Sequence, residues 1–326
     1  MYCMLKKLKN GHCQDNKKTD SMHVAILMGT CNGERFLQQQ LDSIAAQTHT
    51  NWSLWISDDG SRDTTLSIIS CFQKEFELGQ VNLLTGPEAG FAMNFLHLVA
   101  NETVDADYYA FSDQDDVWYK EKLARALNKL DSVPEHIPAL YCSRTRLVNA
   151  KGKFIGLSPL FSKPPSFANA LMQNIGGGNT MMFNRATRDL LKAVGMNSDV
   201  VTHDWLAYIL VSGAGGYVVY DAEPCLNYRQ HDANLVGMNA TWAARIKRIR
   251  MLWQGRFRQW NDAHMRVLSL QSHRLTDKNR VLLEEFAQAR HQQLLPRLIQ
   301  LKKTGIHRQT LLGNLGLIVA AVFKRL

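Results

Sequence analysis

No CxxC pair occurs in this chain, and none of its six cysteines (Cys3, Cys13, Cys31, Cys71, Cys142 and Cys225) stands at metal-ligand spacing from another. That argues against a zinc knuckle or a disulfide framework and for reduced thiols in a cytosolic protein. No run approaches the roughly 20 apolar residues of a membrane-spanning helix. The opening stretch MYCMLKKLKNGHCQDNKKTDSMH has lysines but no apolar h-region, so it does not read as a signal peptide. Residues 1–21 read as a flexible extension, with Met22 as an alternative start just before the first strand pattern. GxGxxG and GxxxxGK[ST] are both missing, which removes the main support for dinucleotide-binding and P-loop readings.

What is present is unevenly charged. The net charge is +9, yet from Arg245 onward there are 17 Lys and Arg against 4 Asp and Glu, leaving 21 against 25 before that point. A mildly acidic body with a basic tail meets an anionic partner, either nucleic acid or a membrane surface. Hydrophobic content of 45% with 21% charged residues is ordinary for a globular protein. A chain of this length can bury a large core, as one big domain or as one domain plus an appendage.

The first half alternates. HVAILM (23–28), WSLWIS (52–57), VNLLT (81–85) and YYAFS (108–112) read as short buried strands. Between them, residues 33–47, 64–76 and 91–101 carry apolar side chains at helical spacing, as in Phe36, Leu37, Leu41, Ile44 and Ala45. Strands alternating with helices predict a parallel sheet with helices on both faces. Ligands of such sheets bind beyond the carboxyl ends of the strands. Three polar clusters, GTCNGE (29–34), SDDGS (57–61) and SDQDD (112–116), fall at those ends and should converge on one cleft. The second half is less regular. Residues 139–156 read as strand, turn, strand with the turn at Asn149 to Gly152, and 175–186 as a Gly-rich loop entering a further element. Residues 201–216 read as a helix closed by glycines, and 217–237 as a strand pair with a polar loop.

SDQDD poses an electrostatic problem. Asp113 and Asp115 sit at i and i+2 on an extended segment and aim the same way. Like charges this close raise each other's pKa and cost stability. A divalent cation removes that cost; Mg2+ typically takes one or two carboxylates and shares its other positions with water and phosphate oxygens. The plainer alternative is that Asp115 and Asp116 cap a helix beginning near Trp118.

Together, VAILMGTCNGERFLQQQLDSIAAQT, WISDDGSRDTT, GFAMNFLHL and YYAFSDQDDVWYKEKL resemble the family-two glycosyltransferases of the GT-A fold, in particular rhamnosyltransferase-like enzymes of bacterial O-antigen and surface polysaccharide synthesis. The likeness runs from about residue 23 to about 237. The first motif of the family is usually TYNGE; here it is TCNGE, with Cys31 in the place of the aromatic. The resemblance implies a GT-A catalytic domain over 22–237, with a nucleotide-binding half (22–130) and an acceptor half (131–237), followed by a basic helical region over 238–326. It implies a nucleoside-diphosphate sugar donor, on dTDP or UDP, and Mg2+ or Mn2+. Thr30, Asn32, Glu34, Asp58 and Asp59 would line the base and ribose pocket. Asp113 and Asp115 would form the DxD pair, Asp113 touching ribose or metal and Asp115 binding metal. Gly177 and Asn179 of GGGNT would approach the sugar or phosphate. Arg229 would face the diphosphate, and His231 the metal. Asp204 of THDW would be the base that deprotonates the acceptor hydroxyl, displacing the leaving group with inversion.

In the tail, Trp242, Ile246, Ile249, Trp253, Phe257 and Trp260 recur as one helical stripe among arginines and lysines. Such a helix fits an interfacial membrane position or packs on the catalytic domain by that stripe. The segment LLGNLGLIVAAVFKRL has an apolar run too short to span a bilayer but able to lie in its interface. Both suit an enzyme peripheral to the cytoplasmic leaflet, with a glycan or lipid-linked saccharide as acceptor and an anionic membrane as partner. A nucleic-acid-binding protein using the basic tail is the second function class. It leaves the three acidic strand-end clusters unexplained, so no nucleic acid is expected.

Overall fold

A computed structural model of the chain describes residues 19, 21–196, 199–231 and 255–326. Seven strands form one sheet in the order β10-β6-β9-β4-β1-β2-β3. They are β1 (Val24–Thr30), β2 (Trp52–Asp58), β3 (Val81–Thr85), β4 (Tyr108–Ser112), β6 (Ala139–Ser143), β9 (Met182–Asn184) and β10 (Tyr217–Asp221). All neighbours pair in parallel except at β9, which runs against both β4 and β6. A smaller sheet holds β5 (Val117–Trp118), β11 (Leu226–Gln230), β7 (Arg146–Asn149) and β8 (Phe154–Leu157) in that order.

The apolar runs are continuous because the large sheet is covered on both faces. Along β1, Ala25 and Leu27 point into one core, and Val24, Ile26 and Met28 into the other. β4 repeats this division, with Tyr109 and Phe111 on the first side and Tyr108 and Ala110 on the second. The second core is closed by α1 (Leu37–Ala45), α2 (Thr65–Gln73) and α4 (Lys122–Leu130). The first is closed by α3 (Phe91–Ala100), the single turn α5 (Phe167–Ala170), α6 (Arg185–Lys192) and α7 (His203–Gly213).

Four more helices follow: α8 (Arg256–Leu270), α9 (Asp277–His291), α10 (Leu294–Lys303) and α11 (Leu311–Val322). They extend the first core, to which Val267, Leu268, Leu283, Phe286, Leu301 and Leu317 all contribute. The end of the aromatic stripe therefore packs inward. Phe257 and Trp260 lie against this core, and Trp260 meets Trp205 edge to face at 6.1 Å. Trp242, Ile246, Ile249 and Trp253 lie outside the described residues.

The strands expected from sequence are present. The short strand β5, and the assembly of β7, β8 and β11 with it into a second sheet, were not expected. No helix caps on Asp115 or Asp116, because the chain first pairs Leu226 with Trp118 and reaches α4 only at Lys122. The expected turn at Asn149 is present: its Oδ1 accepts the N–H groups of Lys151 and Lys153, and Gly152 takes a φ of 76°.

Arg188 of α6 ties the first core together. It is buried, donates from Nε to the Val99 carbonyl at 2.9 Å and from Nη2 to the Asn101 carbonyl at 2.6 Å, and lies over the Tyr109 ring. Arg188→Met should cost about 3 kcal/mol, since hydrogen bonds from a charged group are worth roughly 1.5–3 kcal/mol and their acceptors stay buried. Urea unfolding should show a lower midpoint with an unchanged slope. A midpoint equal to wild type would mean that these contacts do not support the core.

Candidate active site

Parallel order brings the ends of β1, β2, β4, β6 and β10 to one edge. Thr30 of β1 pairs with Asp58 of β2, Met28 with Ser112 of β4, and Ser143 of β6 with Asp221 of β10. Because β9 runs backwards, the Gly-rich loop before it also arrives at this edge. Its 3-10 turn, Gly178–Thr180, stands beside the acidic cluster.

The first two polar clusters are interlocked. The Thr30 hydroxyl donates to Asp58 Oδ1 at 2.8 Å, and the same carboxylate accepts the N–H and hydroxyl of Ser61. Asp59 accepts from the N–H of Glu88 at 2.6 Å and of Gly90 at 3.2 Å. Asn32, in a left-handed conformation with φ 49°, accepts the Arg62 N–H on Oδ1. Glu34 accepts the N–H and hydroxyl of Thr64 at the start of α2, while its own N–H donates to Asp63. Thr30 and Asp58 are buried. These five residues come together at the sheet edge as expected, but their polar groups also hold the loops in shape.

Gln114 joins this wall to the acidic cluster and was not singled out from sequence. Its side-chain amide pairs with the backbone of Cys31 like a neighbouring strand. Oε1 accepts the Cys31 N–H and Nε2 donates to the Cys31 carbonyl, both at 2.9 Å. Gly33 leaves room for this contact; a Cβ there would stand 2.3 Å from Gln114 Oε1 and push that side chain aside.

Asp113, Asp115 and Asp116 offer carboxylate oxygens that all lie within 4.8 Å of one another. Burial, then the charges of Asp115 and Asp204, push the Asp113 carboxyl up to about 8. Burial and the two neighbouring aspartates also raise Asp116 well above the carboxylate range. Asp116 is fully buried; its oxygens accept from Asn179 Nδ2 and from the Arg229 N–H at 3.1 Å. Asp115 Oδ2 lies 2.7 Å from His231 Nε2. Three hard oxygen donors suit Mg2+ or Mn2+ and not a thiolate-seeking metal. Asp113 and Asp115 are partly exposed and available to such an ion.

Among the described residues, two buried positive charges lie behind the cluster, Lys122 and Arg229; the first is Lys122. Its side chain is buried in the first turn of α4, with Nζ 3.5 Å from the centre of the Trp118 ring. Burial lowers its ammonium to about 8, opposed by the fields of Cys225, Asp116 and Asp113. A sequence signal existed: Lys122 shares the buried helical face of Ala126 and Leu130.

Arg229 stands in a different place from the one expected. It is 3% exposed, donating from Nε to the Asp115 carbonyl, from Nη1 to the Ala150 carbonyl and from Nη2 to Gln39 Oε1, over the Phe36 ring. Reaching a diphosphate would require it to leave these partners. Asn179 is likewise buried and turned to Asp116, and a Cβ at Gly177 would stand 2.7 Å from Asn179 Oδ1.

Asp204 lies in the first turn of α7, where the N-cap Thr202 accepts the Trp205 N–H. Its carboxylate accepts from Gly178 N at 3.1 Å and Trp205 N at 2.7 Å, which fixes its direction against the Gly-rich loop. Beside it, His203 is buried, stacked on Phe95 at 3.9 Å, with neither ring nitrogen hydrogen-bonded. Burial depresses it to about 4, so its ring is neutral and packs as an aromatic. Gly178 makes room for it; a Cβ there would stand 2.4 Å from His203 Nε2.

The family model "Glycosyl transferase family 2" matches residues 25–193. The dTDP-rhamnosyl transferase RfbG of Shigella flexneri is 30% identical over 236 residues, covering 68% of this chain and 78% of that protein. The putative teichuronic acid biosynthesis glycosyltransferase TuaG of Bacillus subtilis is 25% identical over 225 residues, covering 68% of this chain and 84% of that protein. The crystal structure of S. aureus TarS 1-349 in complex with UDP-GlcNAc shares the fold, with TM-score 0.52 at 15% identity, covering 87% of this chain and 90% of that one. These neighbours carry the glycosyltransferase GT-A architecture expected from the motifs, here with its helical C-terminal extension.

The raised Asp113 carboxyl has a consequence for stability. Its folded-state value of about 8 exceeds the roughly 4 of an unfolded aspartate. Its contribution is full below the unfolded value and is lost as pH rises to the folded one. In chelator, wild type should therefore lose thermal stability relative to Asp113→Asn between about pH 4 and pH 8. A difference that stays flat across this window would remove carboxylate crowding as its cause.

Proposed function

The chain belongs to glycosyl transferase family 2, and from that premise we propose that it is an inverting enzyme moving a sugar from a nucleoside-diphosphate donor to a saccharide acceptor. The observation that carries this reading is the placement of the Asp113, Asp115 and Asp116 carboxylates beside the Thr30 and Asp58 strand ends at one sheet edge. The dTDP-rhamnosyl transferase among its relatives supports rhamnose on dTDP, with UDP as the other base to test. A lipid-linked saccharide of surface polysaccharide synthesis is the acceptor, reached from the cytoplasmic leaflet.

Thr30, Asn32, Glu34, Asp58 and Asp59 form the wall for base and ribose, and a carboxylate there accepts the imide N–H of uracil or thymine. Asp113 and Asp115, with His231 beside them, would hold Mg2+ or Mn2+. The ion, when bound, supplies positive charge for the leaving diphosphate. Asp116 and Arg229 hold the ligating segment in place from beneath. The backbone of Gly177 and Gly178 brings the Gly-rich loop up to Asp204, with Asn179 and His203 filling the space beside the two glycines. Held by Gly178 and Trp205, the Asp204 carboxylate takes the proton of the acceptor hydroxyl as that oxygen attacks the anomeric carbon. The basic tail offers no second reading as a nucleic-acid binder, because three carboxylate clusters line the cleft and repel a phosphate backbone.

Thermal shift with dTDP and with UDP, each with Mn2+, should stabilise the protein, whereas an oligonucleotide should not. Asp115→Ala should remove the metal-dependent part of that shift and abolish transfer. Asp204→Asn should bind donor normally and lose kcat by about 10²–10⁴-fold, the range of general-base removal. Unchanged metal-dependent binding in the first variant, or wild-type turnover in the second, would strike out the corresponding role.

A further inference from the structure

Among the described residues, the last two helices leave an apolar face uncovered. On α11, Leu311, Leu315 and Ile318 are 78%, 50% and 53% exposed, and Val322 continues the same line one turn later. Their spacing of four, three and four places them on one side of the helix. Its opposite side, Leu317, Ala320 and Ala321, is buried in the core. On the neighbouring α10, Leu295 and Ile299 are also exposed, one turn apart. A soluble surface rarely keeps so many large apolar side chains in one place without a partner.

The charge around this face indicates the partner. From Phe286 to Leu326 the chain has seven Lys and Arg and no Asp or Glu. Lys302 and Lys303 close α10 on the turn after Ile299, and Lys324 follows α11; all three are exposed. A protein interface could match an apolar face alone. An apolar face with exposed lysines at the ends of both helices matches the interface of an anionic bilayer, which takes side chains into its acyl boundary and basic groups at its headgroups. α11 has 12 residues, and no helix among the described residues is long and apolar enough to cross a membrane, so the contact is parallel to the surface.

We infer that α10 and α11 form a membrane-docking surface that seats the enzyme on an anionic leaflet through Leu295, Ile299, Leu311, Leu315, Ile318 and Val322. This names the partner of the leaflet-bound acceptor reading. It is nevertheless tested without donor or turnover, so failure of either leaves the other standing. The surface is distinct from the aromatic stripe that begins at Trp242, whose end at Trp260 packs inward.

The full-length protein is floated with phosphatidylcholine vesicles containing about 30% phosphatidylglycerol, an anionic surface of bacterial type. It should rise with these vesicles, and less with pure phosphatidylcholine. The fourfold variant Leu311→Ser, Leu315→Ser, Ile318→Ser and Val322→Ser changes only outward positions and should melt like wild type. Its vesicle partitioning should fall by more than about tenfold, since four apolar side chains no longer leave water. Lys302→Gln with Lys303→Gln should reduce binding at low salt and leave a salt-resistant remainder. Wild-type partitioning by the fourfold variant would overturn the inference. So would a wild-type protein that stays below the vesicles, including one that forms a dimer in light scattering which the fourfold variant dissolves, since the face would then belong to a second copy.

Discussion

Three carboxylates crowded at the end of one strand set the terms for the rest of this molecule. Asp113, Asp115 and Asp116 repel one another, and a chain free to relax would separate them. It is not free, because the buried Asp116 carboxylate is the point at which three segments meet. Its own segment brings it from β4, Asn179 reaches it from the Gly-rich loop, and the Arg229 backbone reaches it from β11. The Arg229 side chain then returns to the Asp115 carbonyl and locks the backbone between Asp115 and the buried Asp116. An arrangement that costs free energy locally is kept in place by contacts from distant parts of the sequence, as is common where function sets the geometry.

How much of this could be read in advance follows from the range of the interactions. Strands β1 to β4 and the helices between them were legible because their signal is local: apolar runs, helical spacing and polar ends, each within a dozen residues. The convergence of Thr30, Asp58 and Asp113 was legible too, since parallel order alone places strand ends on one edge. The pairing of β5, β7, β8 and β11 into a second sheet was not. Val117–Trp118 is too short to carry a pattern, and its partner strand lies more than 100 residues away. The roles of Arg229 and Gln114 were hidden for a different reason. Each is defined by the backbone groups it meets, Ala150 and Asp115 for one and Cys31 for the other, and side-chain chemistry alone does not show which neighbours will be near. Lys122 lay between these cases, visible by helical phase and overlooked because its residue type usually faces water.

The C-terminal helices make the same point on the scale of the whole chain. Their basic excess is evident from composition, but composition does not tell which side chains face outward. α8 turns Phe257 and Trp260 toward the core and sets Trp260 against Trp205, the residue after Asp204. α11 does the reverse: Leu317, Ala320 and Ala321 approach the core, while Leu311, Leu312 and Leu315 are left outside. The extension is therefore continuous with the catalytic half through one core. The helix that bears Asp204 is backed by it, so the direction of that carboxylate depends on packing that begins some fifty residues further along.

The charge balance at the cluster argues for an ion of a particular valence. Fully ionised, the three aspartates and the neighbouring Asp204 carry four negative charges, and the buried Lys122 and Arg229 return two. Two negative charges remain in a partly dry site. Without an ion the protein lowers that total by keeping protons, as the raised Asp113 and Asp116 carboxyls indicate. Protons are a poor filling for this purpose, because each neutralises one carboxyl and offers nothing to a phosphate oxygen. A divalent cation supplies the two missing charges at once and keeps open positions for a diphosphate. A monovalent ion would leave the site negative, and the donor diphosphate, itself an anion, would then be repelled by the carboxylates that should hold it. Crowding of this kind makes the site favour its cation over protons only where both the ion and the ionised carboxylates are present, which couples donor binding to pH through the same three side chains.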